Sequence, residues 1–157
     1  MYSTIYKINF VCKDQSKLMR FIGFFRKNFM TYYWTTINNT IYYPTTVNDP
    51  ESLWNQPTVE HELVHVVQQK KYSLPLFLLL YCFFPIPIFG AYFRWKFERE
   101  AYLEDIKANM DPVCHKMDWE ILSSGAADTL WDGYFWCWPR NLMYKWFMKQ
   151  YENFKQR

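Results

Sequence analysis

Three residues of this chain have both the type and the spacing to do chemistry: His61, Glu62 and His65, in the run Thr58-Val-Glu-His-Glu-Leu-Val-His-Val-Val67. A separation of four puts both imidazoles on one face of an α-helix, so they can reach a single cation. Zinc suits such nitrogen ligands and, in catalytic sites, keeps one position open for water. Glu62, directly after the first ligand, would then stand beside that water as a general base. The flanking Thr58, Val59, Leu63, Val64, Val66 and Val67 are all uncharged. A buried, rigid metal-bearing helix requires that, whereas a solvated helix would carry charges there.

Catalytic zinc generally takes three protein ligands, so one must come from elsewhere. A histidine six residues after His65 is absent, because position 71 is Lys71, and the remaining histidine is His115. The segment Phe97 to Asp105 offers Glu98, Glu100, Glu104 and Asp105. Glu98, Ala101, Tyr102 and Asp105 share one helical face, and the small Ala101 would let this helix approach the histidine helix closely. Glu98 is the expected ligand and Glu100, two residues on, the second candidate.

The run H-E-L-V-H-V-V-Q-Q, followed by an E-x-E-A segment, resembles the gluzincin metallopeptidases, including small bacterial and phage-type members, over about Trp34 to Asp105. In the E-x-x-A motif of that family the first Glu binds the metal, which maps onto Glu98, and the Glu of H-E-x-x-H maps onto Glu62. Many relatives carry Asp directly after that Ala, where this chain has Tyr102. The resemblance implies a zincin-like fold, a zinc cofactor and hydrolysis of amide bonds in a peptide or protein substrate. The stretch Trp34 to Pro44 also resembles the strand before the metal helix in zincins, along whose edge an extended peptide pairs.

The elements that must position these groups can be read in outline. Residues 4 to 12 alternate as a strand does, and Asp14 offers an N-cap for an amphipathic helix to about Phe29, with Leu18, Phe21, Ile22, Phe25 and Phe29 expected to face the core. Thr31 to Pro44, rich in Tyr, Thr and Ile around Asn38-Asn39, reads as a hairpin. A loop follows to Pro57, which can occupy the first turn of a helix running to about Lys70. Tyr72 to Phe93 contains no charged residue, but Pro75, Pro85, Pro87 and Gly90 interrupt it. The expectation there is a short buried helix over about 76–84, a turn, and a second helix from about Ala91 to Ala108, rather than a membrane span. A last helix is expected over Asn141 to Phe154. Together these predict a single α+β domain over 1–157, with a small antiparallel sheet packed on a mainly helical core.

Composition narrows the classes. An aromatic fraction of 22% excludes a disordered linker, and a formal charge of +3 is too small to imply nucleic-acid binding. Cys12, Cys82, Cys114 and Cys137 form no C-x-x-C pair and read as free thiols. The first ten residues lack the pattern of a secretion signal, so a cytoplasmic location is expected. Two rivals accompany the peptidase reading. One is a non-catalytic zinc-binding or assembly protein, with His115 as a fourth ligand closing the site; the other is a membrane-associated protease built on Tyr72 to Phe93. Tyr102, His115, Tyr134 and Tyr144 are all possible donors to a developing oxyanion, and the sequence does not choose among them.

Overall fold

The computed structural model describes residues 7–26, 28–83, 90–111, 117–133 and 139–155. The chain is mixed α+β and mostly helical, with a three-stranded sheet and six α-helices among the described residues. Strands β1 (Asn9–Cys12), β2 (Thr35–Ile37) and β3 (Thr40–Tyr43) lie in the order β1-β3-β2. The hairpin β2–β3 is antiparallel as expected, with Thr36 opposite Ile41, but β1 runs parallel to β3, with Phe10 opposite Ile41. The sheet is therefore mixed rather than antiparallel. A helical excursion between β1 and β2 reverses the chain, which a tight turn could not do while keeping the strands parallel. At the hairpin turn Asn38 takes a left-handed φ of 53°, which asparagine tolerates better than most residues.

That excursion is α1 (Lys17–Phe25), and it corrects the sequence reading in two ways. Its N-cap is Ser16, whose Oγ accepts the Met19 amide at 3.3 Å, rather than Asp14. Its apolar stripe faces outward, with Phe21, Phe24 and Phe25 exposed at 65%, 84% and 72%, and Met19 is its one buried residue. The cause lies on the other side of the helix. A Cβ at Gly23 would lie 2.8 Å from the Met30 side chain, so the helix docks through its Met19–Gly23 side, where the absent side chain permits close approach. Phe29 is buried as expected, but it lies beyond the helix end.

Helix α2 (Gln56–Tyr72) has Pro57 in its first turn and Lys70 and Lys71 in its last, where fixed φ and the helix dipole favour them. Its Val59, Leu63 and Val66 pack on Ile41 of the sheet, with Ile8, Phe10 and Trp34 around them. A short α3 (Leu74–Leu78) continues into one turn of π-helix (Leu79–Phe83). Residues 84–89 lie outside the described residues, and α4 (Gly90–Met110) follows. Among the described residues no helix is long and apolar enough to cross a membrane.

Helix α4 serves two cores. One side packs on α2, with Phe97, Glu98 and Ala101 all buried. The other side contributes Trp95 and Ile106 to a second core, shared with α5 (Trp119–Gly133) and α6 (Arg140–Lys155) and filled by Trp119, Ala127, Leu130, Met143 and Phe147. The sequence reading placed the last helix but not α5. Arg140 forks onto Asp128 and donates to Ser124 at 2.8 Å, fastening α6 to α5.

Candidate metal centre

Each side of α2 meets a different neighbour, and this division places the functional groups. Positions 61, 65 and 68 look toward α4, while 62 and 69 look toward the edge strand β2. The structure brings His61, His65 and Glu98 together, with one potential ligand atom from each lying within 4.8 Å of the others. His61 Nε2 is 3.3 Å and His65 Nε2 3.9 Å from Glu98 Oε2. Ligand atoms on a tetrahedral zinc lie about 3.3–3.6 Å apart, so closure onto an ion needs side-chain adjustments of about 1 Å. Two imidazole nitrogens and a carboxylate oxygen are also a chemically apt donor set for zinc.

The protonation state of His65 follows from its neighbour Gln68. The Gln68 amide nitrogen donates to the Phe97 main-chain carbonyl at 3.0 Å and to Glu100 Oε2 at 3.0 Å. Both partners are acceptors, so the amide oxygen must face the other way, where it lies 2.9 Å from His65 Nδ1. Nδ1 therefore carries the proton and Nε2 presents its lone pair toward Glu98. Orienting a ligating histidine through its other nitrogen is a common support of metal sites. This arrangement also separates the two candidate carboxylates: Glu98 lies in the cluster, and Glu100 accepts a hydrogen bond from Gln68.

Tyr81, on the π-helical turn, donates its hydroxyl to Glu98 Oε1, leaving Oε2 for the two imidazoles. Aromatic rings line the rest of the cluster. Tyr102 meets His61 edge-on at 4.8 Å, and Phe77 and Tyr81 lie 6.1 and 5.9 Å from His65. Tyr102, which stands where relatives of the resembled family carry Asp, thus touches the first histidine through its ring.

Electrostatics fit this geometry. Burial opposes the charge on Glu98, but the hydrogen bond from His61, the charges of both histidines and the Tyr81 hydroxyl outweigh it, holding its carboxyl at about 2. Burial likewise disfavours protonated His61, and the Glu98 hydrogen bond and charge overcome it and raise the imidazole above its ordinary value. Burial, with the nearby Glu98 charge, pushes the Tyr102 phenol well up, so it stays protonated.

Glu62 is buried and accepts the Thr36 hydroxyl on Oε2 at 2.6 Å. Beside it, Gln69 receives the Asn38 amide on its Oε1 at 2.7 Å and donates to the Thr36 carbonyl at 2.9 Å, pinning the hairpin to α2. Thr36 sits at a non-hydrogen-bonded position of the ladder, so its carbonyl faces the outer edge of β2 and is already taken there. Pairing of a peptide along that edge, expected from the sequence, would meet Gln69 at this point.

Sequence reasoning missed Thr36, Gln68, Gln69 and Tyr81. Gln68 alone had a local signal, three positions after His65 on the same helical face. His115, the alternative fourth ligand, and Tyr134 lie outside the described residues, as do Cys114 and Cys137; Tyr144, on α6, is packed against the second core, with Trp119 and Phe147. Comparison with protein-family models, curated proteins and solved structures finds no match.

Proposed function

We propose that this protein is a zinc-dependent hydrolase of zincin-like build, acting as a cytoplasmic peptidase on amide bonds. The observation that carries the reading is the convergence of His61, His65 and Glu98, with the His65 tautomer fixed by Gln68 and Glu62 one residue from the first ligand. A zinc ion held by these three side chains would supply Lewis acidity beside an open coordination position. Glu62 takes the proton of the attacking water and passes it to the leaving amine, with Thr36 holding one carboxylate oxygen so that the other is free to act. Tyr81 fixes the rotation of Glu98, and the Phe77, Tyr81 and Tyr102 rings limit water around the histidines. A peptide or protein is the substrate class this chemistry fits.

The test is zinc content measured beside digestion of a peptide library, on the wild type and on Glu62→Gln, Glu98→Ala and Glu100→Ala. We expect one zinc per chain and cleavage in the wild type, zinc without cleavage in Glu62→Gln, and loss of both in Glu98→Ala. Glu100→Ala should keep its metal. Full zinc content in Glu98→Ala would overturn the ligand set. A zinc-loaded wild type that cleaves nothing would instead favour the non-catalytic zinc-binding reading.

A further inference from the structure

The side of α1 that turns away from the body of the protein forms one continuous apolar patch. Phe21 and Phe25 meet edge-to-face at 5.2 Å, Phe24 and Phe25 do the same at 5.2 Å, and the exposed Leu18 extends the patch by a turn. Tyr32 and Tyr33 are exposed just beyond the helix, and the Arg26 guanidinium lies 4.6 Å from the Tyr33 ring. This outward orientation is imposed by the Gly23–Met30 approach and the burial of Met19, so the patch cannot turn inward without a clash. Its anchorage is firm at the base: Lys13, fully buried, donates to the Phe29 carbonyl at 2.9 Å and holds together the two ends of the excursion.

Charge identifies what covers the patch. Residues 15–48 contain four basic side chains and no acidic one, more than the chain's whole formal excess of +3. Among these, Lys17, Arg20 and Arg26 are exposed along the edges of the aromatic face. A helix with bulky apolar groups outward and cations beside them suits the boundary between acyl chains and anionic headgroups. A second copy of this chain would bring the two sets of cations against each other, and a neutral protein surface would leave them unanswered.

We propose that α1 docks this protein on an anionic lipid surface, with Phe21, Phe24 and Phe25 inserted at the headgroup boundary and Lys17, Arg20 and Arg26 against the lipid phosphates. The docking is peripheral. It involves neither the uncharged 72–93 stretch nor the metal cluster, so it stands or falls apart from the hydrolase reading.

The experiment is co-sedimentation of the full chain with vesicles of phosphatidylcholine alone or mixed with phosphatidylglycerol, at low and high salt. Wild-type protein should pellet with the mixed vesicles and be released by salt. Phe21→Ser/Phe24→Ser should partition at least about tenfold more weakly. Lys17→Gln/Arg20→Gln should lose about fivefold per charge on the mixed vesicles and nothing on the neutral ones. Both variants should keep the wild-type melting temperature, because these side chains are exposed. Failure of the wild type to bind mixed vesicles would overturn the proposal, as would undiminished binding by the Phe variant. Concentration-dependent dimerisation abolished by the Phe variant, without vesicle binding, would assign the patch to a second copy instead.

Discussion

Replacing Gln68 by Met tests the logic of the metal centre more sharply than removing a ligand, because it leaves all three candidate ligands in place. Methionine has the same unbranched reach and no amide. The substitution removes the bond to His65 Nδ1 at 2.9 Å, and with it both donations to the α4 side. The Phe97 carbonyl keeps its partner within the helix, so its loss is small. His65 Nδ1–H, by contrast, is left unpaired at a site where Gln68 itself is only 4% exposed, at a cost of about 1–3 kcal/mol. The imidazole is then free to rotate and to move its proton to Nε2. We expect zinc affinity to fall by about 10–100-fold, equivalent to about 1.4–2.7 kcal/mol. Competition against a chromophoric chelator measures this, and thermal melts of the metal-free protein measure the stability term separately. Glu100→Gln is the control: its amide oxygen can still accept from Gln68, and affinity should stay within about threefold. A Gln68→Met protein that melts early yet binds zinc as tightly as the wild type would refute the tautomer argument. Equal losses in the two variants would show that the Glu100 charge, not the Phe97 carbonyl, sets the amide's orientation.

Three further outcomes follow from the same geometry. Thr36→Val, which removes the donor to Glu62, should lower turnover by about tenfold or more with zinc content unchanged, seen in steady-state kinetics beside metal analysis. Zinc binding near neutral pH should release protons from His61, whose protonated form is favoured by Glu98; calorimetry in buffers of different ionisation enthalpy counts them, and affinity should weaken as pH falls. In the metal-free protein, the raised His61 value contributes stability below its ordinary 6.5 that is lost as pH rises through the folded value. The lowered Glu98 value contributes stability above 4.5 that is lost as pH falls toward about 2, so the contribution of this pair to the melting temperature should be greatest between those limits. Lys13, which burial lowers from 10.5 to about 8 despite the attraction of Glu62, gives the opposite slope. Between those pH values the unfolded chain binds a proton that the folded one does not, so stability should rise with pH by at most about 3 kcal/mol, and Lys13→Met should remove the rise.

What the sequence revealed depended on whether a feature is local. The pairing of His61 with His65 is a property of helical periodicity, and the approach of α4 was legible through Ala101, which is fully buried between helices. Thr36 was illegible because its role depends on which β2 residue the hairpin register sets against α2. Tyr81 was illegible for a different reason: it sits on a turn with one extra residue, so the usual helical spacing misplaces its side chain. Helix α5 did carry a start signal, since Asp118 Oδ1 accepts the Glu120 amide at 2.8 Å, but the aromatic run around it obscured the period. For α1 the period was right and the inward side wrong. Hydrophobicity alone cannot weigh a phenylalanine face against a glycine that lets the opposite face come close.

The clamp from Lys13 to the Phe29 carbonyl has an architectural consequence. Because the two ends of residues 14–28 meet across a single lysine side chain, the intervening stretch behaves as an appendage spliced into the crossover between two paired strands. Its length and surface chemistry can change without moving β1, β3 or the helix they support. Where the protein resides and what its buried cluster does are thus separable traits, and a different appendage could be grafted at that junction to send the same centre elsewhere.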